Sequence, residues 1–172
     1  MHFLLLCALL VVSIAVFCLP AIGEAAIPKN GSIAILVKGP SQQHAASTAS
    51  IVTQELIAKG YKVVDPQKLE SIRKSKAAVL ALEGNVDAIM KLGKQYGFST
   101  MITLQVKAGE PRTNEFDLYT GTASVAVMVT GSNGSQLYAD TVSGKQVGYT
   151  EDEAQQKSLE AAAKLAVSRM TQ

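Results

Sequence analysis

Tryptophan is absent from the 172 residues, aromatic side chains make up only 5%, and cysteine and histidine occur twice each. Few aromatics leave little material for base-stacking platforms, and the charged fraction of 17%, with a net charge of +2, contains no run of five like charges. A chain that neutralises so few phosphates is not built for nucleic acid, and its charge speaks to solubility. Internal repeats and low-complexity tracts are also missing. What is present is apolar: 48% of the residues are hydrophobic, enough at this length for one domain with a substantial core.

Residues 3–19 are almost uninterrupted hydrocarbon, followed by Pro20 and small residues through Ala26. This is the pattern of a secretory signal, expected to span residues 1–25 with cleavage after Ala25, although no Lys or Arg precedes the apolar run. An uncleaved N-terminal membrane anchor is the alternative, and would be the chain's sole membrane contact. Cys18 follows Phe17, where lipid attachment needs a small residue. Removing residues 1–25 takes away Cys7, Cys18 and His2 and raises the charge to +3, because Glu24 goes with them. The remaining chain has no thiol and one imidazole, His44. Disulfides, cysteine-ligated metals and cysteine nucleophiles are thereby excluded from it, and no cofactor or metal is expected.

After a short linker at residues 26–31, a single α/β domain is expected over 32–172. Ser32-Ile33-Ala34-Ile35-Leu36-Val37 reads as a strand buried on both faces, closed by Gly39-Pro40. Ser41 caps a helix with Ala45, Ala49, Val52 and Leu56 on one face, ended by Gly60. A second strand covers 61–64, and Asp65-Pro66 opens another helix. Residues 75–84 either continue that helix or break from it near Lys76. A further helix ends at Tyr96-Gly97, and strands follow at 99–107, 122–130 and 135–147, the last two joined at Asn133-Gly134. Thr150 with Glu153 forms a capping box for a final helix that buries Leu159, Ala162 or Ala163, Ala166 and Met170. Helical crossovers imply parallel pairing of the first three strands, and short turns imply an antiparallel meander of the rest. The expected fold is a mixed α/β sheet of five strands, order 2-1-3-4-5, with helices on both faces.

The helix end Leu56-Ile57-Ala58-Lys59-Gly60-Tyr61, the strand Lys62-Val63-Val64-Asp65 and Leu92-Gly93-Lys94-Gln95-Tyr96-Gly97 before the third strand carry a resemblance. So do Val125-Ala126-Val127-Met128-Val129, Leu137-Tyr138-Ala139 and the Ala-rich last helix. Together they resemble the bacterial periplasmic domain shared by the curli secretion channel subunit, the lipoprotein activators of penicillin-binding proteins and flagellar assembly protein T. The likeness spans residues 32–170 and rests on packing and turn signals. It implies a non-enzymatic cell-envelope protein that works through contacts with other envelope proteins or with copies of itself.

Two places stand out as candidate sites. The polar stretch 108–121, with Glu110, Arg112, Phe116 and Tyr119, joins two strands that a tight turn could join, and suits a partner-binding loop. Its competing reading is that Phe116 and Leu118 begin the fourth strand early and pack on the core. Gly39, Ser41 and His44 lie where a strand meets a helix N-terminus, which offers amides to an anion and suits a soluble carrier of a small ligand. The turn lacks the glycine spacing and lysine of a phosphate loop, so an ordinary strand-to-helix turn competes with it. Lys68, Arg73, Lys74 and Lys76 read as a solvated helical face.

Overall fold

The computed structural model describes residues 27–172. The expected signal segment, with both cysteines, lies outside the described residues. Ile27, in the expected linker, is 1% exposed and belongs to the core, so ordered packing starts before the first strand.

Strand β1 (Ser32–Lys38) is the continuous apolar run, and its centre is buried on both faces. It pairs in parallel with the short β2 (Lys62–Val63) on one side and with β3 (Thr100–Ala108) on the other. The crossover from β1 to β2 is helix α1 (Gln42–Ala58), whose first turn is fixed by Ser41: its Oγ accepts from the His44 amide at 3.2 Å. Gly60, at φ +84°, turns the chain out of that helix, a conformation glycine adopts without strain.

The return from β2 to β3 uses three helices. Helix α2 (Pro66–Arg73) starts at Asp65, whose carboxylate accepts from Gln67 N and Lys68 N. The chain does break near Lys76, and Ser75 is the reason. Its hydroxyl donates to Ile72 O at 2.7 Å, closing α2, and accepts from Ala78 N at 3.2 Å, opening α3 (Lys76–Leu82). Helix α4 (Val86–Tyr96) is capped by Asn85 and ends at Gly97, φ +73°.

Beyond β3 the sheet is antiparallel: β5 (Tyr119–Gly131) pairs with β3, and β6 (Gln136–Gly148) pairs with β5. The principal order is β2-β1-β3-β5-β6, as expected, but a sixth strand, the two-residue β4 (Arg112–Thr113), also pairs with β5. Because β6 occupies the far edge of β5 at Tyr119 and Thr120, β4 must lie on the β3 side.

Two cores sandwich the sheet. On one face Ile33, Ile35, Ile102, Leu104, Val125 and Val127 meet α1 and the final helix α5 (Glu151–Met170) through Val52, Leu56, Leu159 and Ala163. On the other face Ala34, Leu36 and Met101 meet α2, α3 and α4 through Ile72, Ala81, Ile89 and Leu92. Each fully buried Leu, Ile or Val is worth roughly 1.5–3 kcal/mol relative to exposure. Helix α5 lies unusually close to β5 and β6, because a Cβ built at Gly144 would come within 2.7 Å of Ala162 N, and one at Gly148 within 2.5 Å of Ala154 N. The helix thus rests on bare strand backbone. Among the described residues no helix is long and apolar enough to cross a membrane.

Candidate functional site

The stretch expected as a loop at 108–121 is a continuation of the hairpin. Ala108 pairs with Ala123, the Gly109 amide donates to Thr122 O at 2.8 Å, and Arg112 pairs with Thr120. Between the two paired positions the β3–β4 side has Gly109, Glu110 and Pro111, whereas β5 has only Gly121 and Thr122. The extra residue is a bulge, and Pro111, which has no amide hydrogen to offer a ladder, fits there. A bulge shifts the alternation of side chains by one position. Arg112 therefore shares a sheet face with Lys107, five residues away, where an unbroken strand would have put them on opposite faces.

The tip of this hairpin is held by one side chain. The Asn114 backbone N–H donates to Leu118 O at 2.8 Å, while its side-chain Oδ1 accepts from Phe116 N at 2.9 Å and Leu118 N at 3.2 Å. Asp117 takes φ +56°, a left-handed conformation that a short polar side chain tolerates. The result is a closed, hydrogen-bonded turn with Phe116 72% exposed at its apex. Leu118 and Tyr119 are half-buried. The competing expectation is met in part: β5 does begin early, at Tyr119, but Phe116 stays off the core.

Sequence reasoning missed one aromatic at this end. Tyr119 pairs with Gly148, so the next residue of the β6–α5 junction, Tyr149, sits beside the hairpin, 79% exposed. Its amide donates to Glu153 Oε2 at 2.7 Å, completing the capping box of α5. The Lys157 ammonium, hydrogen-bonded to Glu153, together with that amide, holds the Glu153 carboxyl below the usual carboxylate range. The signal in the sequence was a lone tyrosine wedged between Gly148 and a helix cap, where no core position exists to hold it.

The four loop residues do not form one cluster. Glu110 is exposed in the bulge, Arg112 lies on the sheet face away from α5, Phe116 caps the tip, and Tyr119 is on the α5 face in register with Gly148. At the other candidate site, the Ser41 hydroxyl is engaged with the His44 amide, and a Cβ at Gly39 would come within 3.1 Å of Ala45 N, as a tight strand-to-helix turn requires. His44 is half-buried, and its Nδ1 is buried without a hydrogen-bond partner among the described residues. In the basic cluster, Glu70 pairs with Arg73 at 4.0 Å and Lys74 at 3.4 Å, a solvated and partly neutralised face. Among the described residues no three His, Cys, Asp or Glu side chains gather as a metal site.

Solved structures share this fold. Lipoprotein GNA1162 from Neisseria meningitidis is 18% identical, with 80% of this chain and 98% of that chain covered, at a TM-score of 0.55. More distant are the PelC dodecamer from Paraburkholderia phytofirmans (10% identity, 85% and 92% covered, TM-score 0.49) and the LpoB C-terminal domain from Salmonella enterica (10%, 72% and 86%, 0.45). No curated protein sequence matches the chain. A family model described as "TP0693-like lipoprotein, C-terminal domain" matches residues 41–171, a range that begins after Cys18. The expected resemblance to an envelope α/β domain is borne out, and the matching family model and the GNA1162 structure are both of lipoproteins. The chain belongs to the family of TP0693-like lipoprotein C-terminal domains.

Proposed function

We propose that this domain is a non-enzymatic accessory protein of the bacterial cell envelope, periplasmic or secreted, which acts by docking a partner protein on the hairpin end of its sheet. The observation that carries the reading is the pair Phe116 and Tyr149, 72% and 79% exposed, brought to one end by the Tyr119–Gly148 register. An aromatic side chain can bury about 150–250 Å², and leaving two in water is explained by a partner that covers them. The Asn114 hydrogen bonds fix the tip before any partner arrives, which lowers the ordering entropy lost on binding. Support for a small-ligand carrier at Gly39, Ser41 and His44 is weaker, because the Ser41 hydroxyl already caps the helix.

The test is site-specific photocrosslinking in cells. A photoreactive phenylalanine at position 116 should yield a discrete adduct with another envelope protein, and the adduct should disappear in a Tyr149→Ala background. The same probe at Ile57, which is 57% exposed on α1, serves as the control. Adducts that are absent at 116, or identical from both positions, would refute the docking site.

A further inference from the structure

The sheet is covered unevenly. Helix α5 lies over one face of β5 and β6, whereas α2, α3 and α4 on the other face pack over β1 and the start of β3. The second half of β3, with β4, the first half of β5 and the part of β6 paired to it, therefore has one open face, while Met128 further along β5 is covered by the helices. Paired residues in antiparallel strands project to the same side, so register identifies its occupants: Lys107 with Ser124 and Ser143, Thr122 with Lys145, and Arg112 with Thr120. Two shallow depressions, of about 560 and 550 Å³, meet on this face at Gly109, Thr122 and Lys145.

Three cations stand here, all exposed, and among the described residues none of them is in an ion pair. One carboxylate, Glu110 in the bulge, lines the same depression. With strands about 4.8 Å apart and roughly 3.3 Å per residue, the Cα atoms of Lys107, Lys145 and Arg112 mark a triangle with sides of about 12–13 Å. Hydroxyls of threonine and serine fill the space between, and no aromatic side chain lies on the face. Without aromatics the surface cannot stack nucleobases, and its exposed large apolar side chain is Val147, 40% exposed opposite Thr120, rather than an aromatic anchor of a protein interface. Double-stranded DNA carries a charge about every 1.7 Å, far denser than these cations.

We propose that this open face binds a linear glycan whose carboxylates are spread along the chain, separated by uncharged sugars. Its carboxylates pair with Arg112, Lys145 and Lys107, and its hydroxyls hydrogen-bond with Thr120, Thr122, Ser124 and Ser143. The bulge is what completes the triad, because without it Arg112 would face α5. This site is separate from the aromatic tip and does not depend on the docking of a protein there.

The experiment titrates the full chain, in neutral detergent at low salt, with hyaluronate, whose carboxylates fall on alternate sugars. Binding should weaken with added salt, and the triple variant Lys107→Gln, Arg112→Gln, Lys145→Gln should lose at least about tenfold in affinity. Neutralising Lys59, Lys62 and Lys68 instead should change it less than about twofold. Equal losses from both triples would reduce the effect to bulk charge and overturn the site. Equal or tighter binding of poly-glutamate or double-stranded DNA through the same three residues, or of neutral dextran, would overturn the glycan assignment. Lys145→Gln alone, with an unchanged thermal melt, keeps the test open should the triple variant unfold.

Discussion

Gly144 offers a direct test of how closely α5 rests on the sheet. The residue pairs with Ala123 on the helix-covered face, and a methyl group added there would run into Ser158 O, Ala162 N at 2.7 Å and Ala162 Cβ at 3.2 Å. Two of these three neighbours are helix backbone, which cannot rotate away, so Gly144→Ala must push α5 outward by about 1 Å to restore ordinary contact. Overpacking of this kind costs about 1–3 kcal/mol. A gap of 0.5–1 Å elsewhere along the seam forfeits roughly a quarter to a half of each dispersion contact there, which argues for the upper end. Offsetting this, alanine restricts the unfolded chain and returns about 0.4–1 kcal/mol. The expected net loss is about 2–2.6 kcal/mol. In urea, with a slope of about 2 kcal/mol/M, the midpoint should fall by about 1–1.3 M. Gly109→Ala is the matched control, because its added methyl meets the Thr122 hydroxyl, a side chain able to turn. A Gly144→Ala midpoint within about 0.25 M of the parent would refute the close packing of helix on strand.

Asp140 is held below the usual carboxylate range, first by the Arg169 guanidinium at 3.0 Å and then by the Tyr138 hydroxyl at 3.0 Å. A carboxyl whose folded pKa lies below its unfolded one adds stability above the unfolded value and loses it as pH falls through the folded one. Urea midpoints measured on a descending pH series should drop less steeply in Asp140→Asn than in the parent, and parallel curves would deny the interaction. Ser41→Ala removes the α1 cap and should lower stability by about 1 kcal/mol, measured by the same unfolding titration.

Much of the fold was legible because its signals are local. The β1 run, the caps at Ser41, Asp65 and Thr150, the terminator Gly97 and the Asn133-Gly134 turn each act within a few residues of themselves. Residues 75–84 were ambiguous because Ser75 serves the end of one helix and the start of the next, a double role that composition does not reveal. The hairpin extension was hidden for a different reason: Gly109, Glu110 and Pro111 read as a loop, and only pairing with β5 makes them a bulge within a ladder. Of the candidate site, Phe116 was found from its polar surroundings. Tyr149 and the grouping of Arg112 with Lys107 and Lys145 depend on register between strands distant in sequence.

The length of β5 sets a distance that the site alone does not convey. Its 13 residues run the full height of the sheet, about 40 Å, from the aromatic tip beside Tyr119 to Gly131, which pairs with Thr100 beside the start of β1. The chain enters β1 at that far end, five residues after the buried Ile27. Phe116 and Tyr149 therefore stand at the opposite end of β5 from the start of β1, across most of the sheet's height.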